Sequence, residues 1–181
     1  MGKLVVGEQM PDFEFVTPFE KGQFLLETAE KVKGKTAILF LRYYGCTLCQ
    51  YDIHQFAANY EKIRALDGQL LIVLQSDPDK LAAALHENDL PFAIICDPEQ
   101  TLYHKFSIEA ADSMVKLGDV KTAAKVVKAT SAGFKHGDYE GNELQLPALF
   151  LIDREGMIEY VHYGTAAGDI PDPDGLVKIM A

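Results

Sequence analysis

Apolar and polar positions alternate along this chain between two regimes. Short runs are almost wholly apolar, and the longer stretches between them repeat apolar residues every three or four positions. The run at 36–41 (TAILFL) is too apolar for a strand with one wet face. It reads as a central strand covered on both sides. The runs at 69–74 (QLLIVL) and 92–96 (FAIIC) read as a second and a third strand. Residues 148–152 (ALFLI) and 157–162 (MIEYVH) read as two more, joined by Asp153-Arg154-Glu155-Gly156, a hairpin turn signal. Near the N-terminus, Phe13-Glu14-Phe15-Val16 and Gly22-Gln23-Phe24-Leu25-Leu26 alternate apolar and polar around Thr17-Pro18 and Lys21-Gly22, which predicts a short hairpin.

The helical regime is clearest after the first buried strand. Cys49, Ile53, Phe56, Tyr60, Ile63 and Leu66 fall at steps of three and four on one face, and Asp67-Gly68 ends the pattern. Asp77-Pro78 combines an N-cap with proline at the first helical position, opening a helix through Leu81, Ala82 and Leu85 that must stop before Pro91. Asp97-Pro98 repeats that signal ahead of Leu102, Tyr103 and Phe106. Residues 109–129 read as mostly helical, with a weak stripe at Val115, Gly118, Thr122, Val126 and Val127. Gly133, Gly137 and Gly141 make the next stretch an irregular loop, and Pro173-Asp174-Gly175-Leu176 begins a terminal helix.

This order predicts an α/β fold. The early βαβ units demand parallel strands with right-handed crossovers, and the final hairpin is antiparallel, so the sheet is mixed and flanked by helices. With 181 residues and no linker, repeat or low-complexity stretch, the chain reads as one domain, 1–181, carrying an inserted helix-and-loop segment at about 107–145.

Charge narrows the partners. Seventeen Lys and Arg against 27 Asp and Glu leave a net charge of −10, which disfavours nucleic acid and anionic membranes. No apolar stretch reaches the roughly 18 residues of a membrane span. The N-terminus lacks a signal core, and three cysteines do not make a disulfide framework, so a reducing, cytoplasmic location is expected. The glycines follow no phosphate-binding pattern, so no nucleotide cofactor is expected.

The chemistry sits at Cys46-Thr47-Leu48-Cys49, directly after the first buried strand. Two thiols spaced C-x-x-C at a helix start can close into a disulfide and reopen, and the helix N-terminus favours a thiolate. A structural zinc site needs about four ligands, and no second C-x-x-C or close His pair supplies them, so no metal is expected. On geometry Cys46, at or before the N-cap, is the more exposed and attacks. Cys49, one turn inside on the apolar face, resolves. Arg42 could offer positive charge, and Tyr43 and Tyr44 flank the motif. Cys96 reads as a core residue, His54 as solvated, and the 134–142 loop is not assigned to the site.

A C-x-x-C after the first buried strand resembles the thioredoxin fold. Val6-Gly7-Glu8-Gln9-Met10-Pro11-Asp12-Phe13, Cys96-Asp97-Pro98-Glu99 and Leu146-Pro147-Ala148-Leu149-Phe150-Leu151-Ile152-Asp153 resemble segments of the peroxiredoxin and redoxin (AhpC/TSA) group. The resemblance covers most of the chain outside about 107–140. It implies a thioredoxin-like mixed sheet, a cis Leu146–Pro147 bond beside the thiols, and an edge left open for a substrate chain. In the peroxiredoxin pattern P-x-x-x-T-x-x-C the last cysteine attacks peroxide, which sets Cys49 in that role, Cys46 on the threonine and Arg42 on the proline. The thioredoxin pattern gives the role to Cys46, so both assignments stay open. Pro147 also stands where peroxiredoxins carry an arginine.

These departures put thiol–disulfide exchange first, with thiol peroxidase as the rival and a non-catalytic thioredoxin-fold binding protein third. The expected site is Cys46 and Cys49, shaped by Pro147, Arg42, Tyr44 and Thr47. The expected partners are a protein or small-molecule disulfide or a peroxide, together with a thiol electron donor. The resemblance is compatible with a homodimer, although no interface is legible.

Overall fold

A computed structural model describes residues 2–181. The elements run β1 (Glu14–Phe15), β2 (Gln23–Phe24), α1 (Leu25–Ala29), β3 (Thr36–Phe40), α2 (Thr47–Ala58), α3 (Tyr60–Arg64), β4 (Gln69–Leu74), α4 (Pro78–Ala84), β5 (Ala93–Cys96), α5 (Thr101–Lys105), α6 (Met114–Leu117), α7 (Val120–Ser131), β6 (Ala148–Ile152), β7 (Ile158–Tyr163) and α8 (Pro173–Met180). β1 and β2 form the expected N-terminal hairpin. The main sheet has the order β5-β4-β3-β6-β7. β3 lies at its centre, parallel to β4 as the βαβ connection required, and antiparallel to β6, a pairing the apolar pattern did not specify.

Each face of the sheet has its own core. Ala37, Leu39 and Leu41 turn toward α2, α3 and α8, where Ile53, Phe56, Ile63 and Leu176 pack. Ile38 and Phe40 turn the other way, onto Phe13, Phe15, Tyr103 and Phe106. Both faces of β3 are therefore dry, which is why its sequence does not alternate.

Local chemistry sets most boundaries. Asp77 caps α4 by accepting from the N–H groups of Asp79 and Lys80, with Pro78 in the first turn. The long helical pattern after β3 is divided between α2 and α3 at Asn59.

Three expectations need correction. α5 does not begin at Pro98. The Asp97 carboxylate reaches forward to accept from the N–H groups of Thr101 and Leu102, and Gln100 takes a left-handed conformation (φ 58°) at the cap. The stripe proposed for 109–129 holds only at Thr122: Thr122 and Ala129 are the buried residues of α7, and Val115, Gly118, Val126 and Val127 are exposed. No cis peptide bond occurs among the described residues, so Leu146–Pro147 is trans. The Pro147 carbonyl accepts from Gly164 N–H, and the chain enters β6 directly in extended register.

Candidate active site

β3 delivers the chain to Arg42 through Gly45, and Cys46 becomes the N-cap of α2. Its sulfur accepts from the backbone N–H of Cys49 at 3.3 Å, as a capping side chain does. Thr47 and Leu48 form the first turn between the two cysteines. Both thiols are free. Arg42 points back along the turn, and its Nη2 donates to Cys46 Sγ at 3.0 Å. The Arg42 side chain is thus part of the dithiol's surroundings.

The two cysteines titrate in opposite directions. Burial alone would raise the Cys46 pKa. Hydrogen bonds with Cys49 and the adjacent Arg42 charge outweigh that and lower it from 9.0 to about 6. Burial pushes Cys49 well above the ordinary thiol range, reinforced by its hydrogen bond to Cys46 and the negative charge there, against a smaller pull from Arg42. The arrangement therefore holds one thiolate and one thiol near neutral pH.

Cys46 is not the more exposed of the pair. It is 0% exposed and Cys49 is 4%. Cys46 is packed in the core cluster beside α2 with Arg42 on its sulfur, and the segment 134–146 lies as a strap across the loop before α2. Gly137 N–H donates to the Gly45 carbonyl at 2.8 Å. Gln50 Nε2 donates to the Gly45 and Lys135 carbonyls. The Tyr43 hydroxyl meets His136 Nε2 at 3.0 Å, and Glu140 accepts from Ser76 Oγ at 2.8 Å. A Cβ on residue 45 would collide with the Asp138 carbonyl oxygen, so the strap's approach requires glycine there. The strap continues to Glu143, whose carbonyl accepts from Arg42 Nη1 at 2.7 Å.

The other candidates fall into place around this centre. Tyr44 is half-buried, its N–H donates to Ser76 Oγ, and it lines a cleft of about 250 Å³ with Gln50, Lys80 and Glu140. Pro147 is buried at the C-terminal end of β3, one residue beyond the Phe40–Ala148 pair. The expected open edge beside it is occupied: Ala111 N–H donates to the Leu144 carbonyl and Leu146 N–H to the Glu109 carbonyl. His54 is exposed and packs on Phe134 of the strap. Cys96 is buried, and burial with the nearby charges of Asp77 and Glu140 pushes its thiol up to about 12.

Sequence reasoning missed the strap's role, and with it Glu143, His136 and Gln145. One signal was available. Gln145 interrupts an otherwise apolar stretch, Leu144 to Ile152, and a lone amide in such a run needs buried partners. Among the described residues no group of three His, Cys, Asp or Glu side chains could hold a metal ion, and no helix is long and apolar enough to cross a membrane.

A central mixed sheet with a C-x-x-C at the junction of β3 and α2 defines a thiol-based redox protein of thioredoxin-like fold. The AhpC/TSA family model matches residues 6–161, and the chain belongs to the AhpC/TSA family. No curated protein matches its sequence. Solved structures match at low identity and show the fold. A peroxiredoxin-like protein from Aquifex aeolicus is 14% identical, with a TM-score of 0.65, over 98% of this chain and 86% of that one. A thiol peroxidase from Chromobacterium violaceum is 15% identical, with a TM-score of 0.61, over the same shares. A yeast mitochondrial 1-Cys peroxiredoxin, described with glutathione and thioredoxin systems, is 11% identical, with a TM-score of 0.64, over 97% of this chain and 74% of that one.

Proposed function

We propose that this protein is a dithiol peroxidase in which Cys46 attacks a small hydroperoxide and Cys49 resolves. The observation that carries the reading is a thiolate with no exposed surface, held between Arg42 and the first turn of α2. The Cys46 thiolate attacks the terminal oxygen of the hydroperoxide, and the O–O bond breaks. A proton from solvent or the protein leaves the other oxygen as an alcohol or water, and Cys46 becomes a sulfenic acid. The Cys49 sulfur, its thiol proton removed, displaces hydroxide from that sulfenic acid. The products are a Cys46–Cys49 disulfide and, after protonation, water. An external thiol returns two electrons by exchange through the disulfide.

This reading puts peroxidase ahead of disulfide exchange, the reverse of the ranking drawn from sequence, and keeps Cys46 as the attacking thiol. A protein disulfide needs room beside the attacking sulfur and an edge for its backbone. Here the strap lies over the loop before Cys46, and residues 109–111 occupy the edge at 144–146. A small peroxide needs no edge and far less room. The C-x-x-C spacing and the split titration still favour dithiol exchange as the second reading, because the same pair suits both reactions.

The test is a comparison of oxidants on the reduced protein in rapid mixing. Oxidation by hydrogen peroxide should exceed that of free cysteine by several orders of magnitude and outpace oxidation by a protein disulfide. Faster reaction with the protein disulfide would put the exchange reading first.

A further inference from the structure

Gln75 stands one residue past β4, is 1% exposed, and belongs to neither the dithiol nor the strap. A buried primary amide is a costly choice at a strand end unless its polar atoms are used, since an apolar side chain would pack as well. Those of Gln75 are used. Its Oε1 accepts from the Asn142 N–H at 2.7 Å, and its Nε2 donates to Gln145 Oε1 at 3.1 Å. Its backbone N–H donates to the Arg42 carbonyl at 2.7 Å.

These contacts close a ring. Asn142, held by the Gln75 side chain, adjoins Glu143, whose carbonyl accepts from Arg42 Nη1. Arg42 Nη2 donates to Cys46 Sγ. One residue thus holds both the backbone of Arg42 and the strap position that fixes its guanidinium. The far side of the ring is anchored by Gln145, itself 3% exposed, whose Nε2 donates to the carbonyls of Ile108, Glu109 and Leu146. The strap also needs glycine at 141. Its φ is +59°, and a Cβ there would run into the Gln75 amide.

We propose that Gln75 is a positioning residue for the Cys46 thiolate, acting through Arg42 by locking the Asn142–Glu143 limb of the strap. A guanidinium presents its donors in one rigid plane, so moving the Glu143 carbonyl off Nη1 also turns Nη2 away from the sulfur. Gln75 touches neither sulfur in this scheme and acts only on Arg42's orientation.

The inference rests on Cys46 as the attacking thiolate, and its test reads the Cys46 titration itself, with no peroxide. Thiolate absorbance is followed in the reduced full-length protein between about pH 4 and pH 8.5, where Cys49 and Cys96 remain protonated because both titrate far above the ordinary cysteine value. Gln75→Met, Arg42→Met and the double variant form a cycle.

Gln75→Met should raise the Cys46 midpoint by about one pH unit, which cuts the thiolate fraction at pH 6 about fivefold. In the Arg42→Met background the same change should add nothing further. An unmoved midpoint in Gln75→Met, or a shift that adds in full to that of Arg42→Met, overturns the proposal. If Gln75→Met fails to fold, as judged by circular dichroism, Gln75→Asn takes its place in the cycle. It keeps a buried amide and shortens its reach, and the same two outcomes decide. A protein that titrates as described but ignores peroxide would refute the peroxidase reading and leave this inference standing.

Discussion

Cys46 and Cys49 share one helical turn, yet the turn treats them differently. The N-cap position gives Cys46 a backbone N–H and places it under Arg42, and Cys49 is left in the apolar face of α2. Removing the Arg42 charge should therefore cost reactivity without unfolding the protein. Arg42→Met is expected to slow alkylation of Cys46 at about pH 6 by roughly fivefold or more, since a one-unit rise from a midpoint of about 6 leaves about a tenth of the thiol ionised instead of half. Iodoacetamide labelling with peptide mass mapping measures it. Cys46 also ties stability to pH. Its pKa is lowered to about 6 in the fold from 9.0, so between these values the unfolded chain binds more protons than the folded one. Stability of the reduced protein should rise with pH across that window, be complete above the unfolded value, and be lost as pH falls through about 6. The slope is at most about 1.4 kcal/mol per pH unit. Urea unfolding of the reduced protein against Cys46→Ser reads it, and equal slopes for the two would exclude the linkage.

At the scale of elements, the strap and α7 convert a thioredoxin-like centre into a covered one. α7 is fixed to α2 by the Asp52–Lys125 pair at 2.9 Å, with side chains only 8% and 14% exposed. Breaking a buried pair leaves a lone charge. Lys125→Met should therefore destabilise by about 3 kcal/mol, and Asp52→Asn with Lys125→Met should recover part of that loss in chemical denaturation. Gly45→Ala should push the strap off its seat through the Asp138 carbonyl and speed labelling of Cys46 by a bulky maleimide, with little change in far-UV circular dichroism. Sheet and helices were legible because local signals agreed with tertiary ones: β4 matched QLLIVL, and Asp77-Pro78 opened α4. The strap was not legible because its contacts join residues about a hundred positions apart, such as Arg42 with Glu143, through backbone carbonyls that no sequence pattern marks. Pattern reading caught only Thr122 of the buried face of α7. Its apolar residues Val120 and Val127 lie outward, and the buried contacts are made by Thr122, Lys125 and Ala129, two of them polar.

At the scale of the whole molecule, β3 delivers the site from the centre of the sheet, paired on both edges and dry on both faces. Rigid delivery from β3 and cover from a distant strap together leave Cys46 with no exposed surface. The central claim is that this thiolate, at Cys46, attacks a hydroperoxide. The most direct measurement traps the first oxidised species. Reduced Cys49→Ser and Cys46→Ser proteins are each mixed with one equivalent of hydrogen peroxide in the presence of a sulfenic-acid probe, and the labelled peptide is identified by mass spectrometry across a pH series. The account predicts rapid labelling at Cys46 in Cys49→Ser, with a rate that rises through about pH 6 and then levels, and no comparable labelling in Cys46→Ser. Rapid labelling of Cys49 in the Cys46→Ser protein, or labelling of Cys46 no faster than free cysteine, would contradict it.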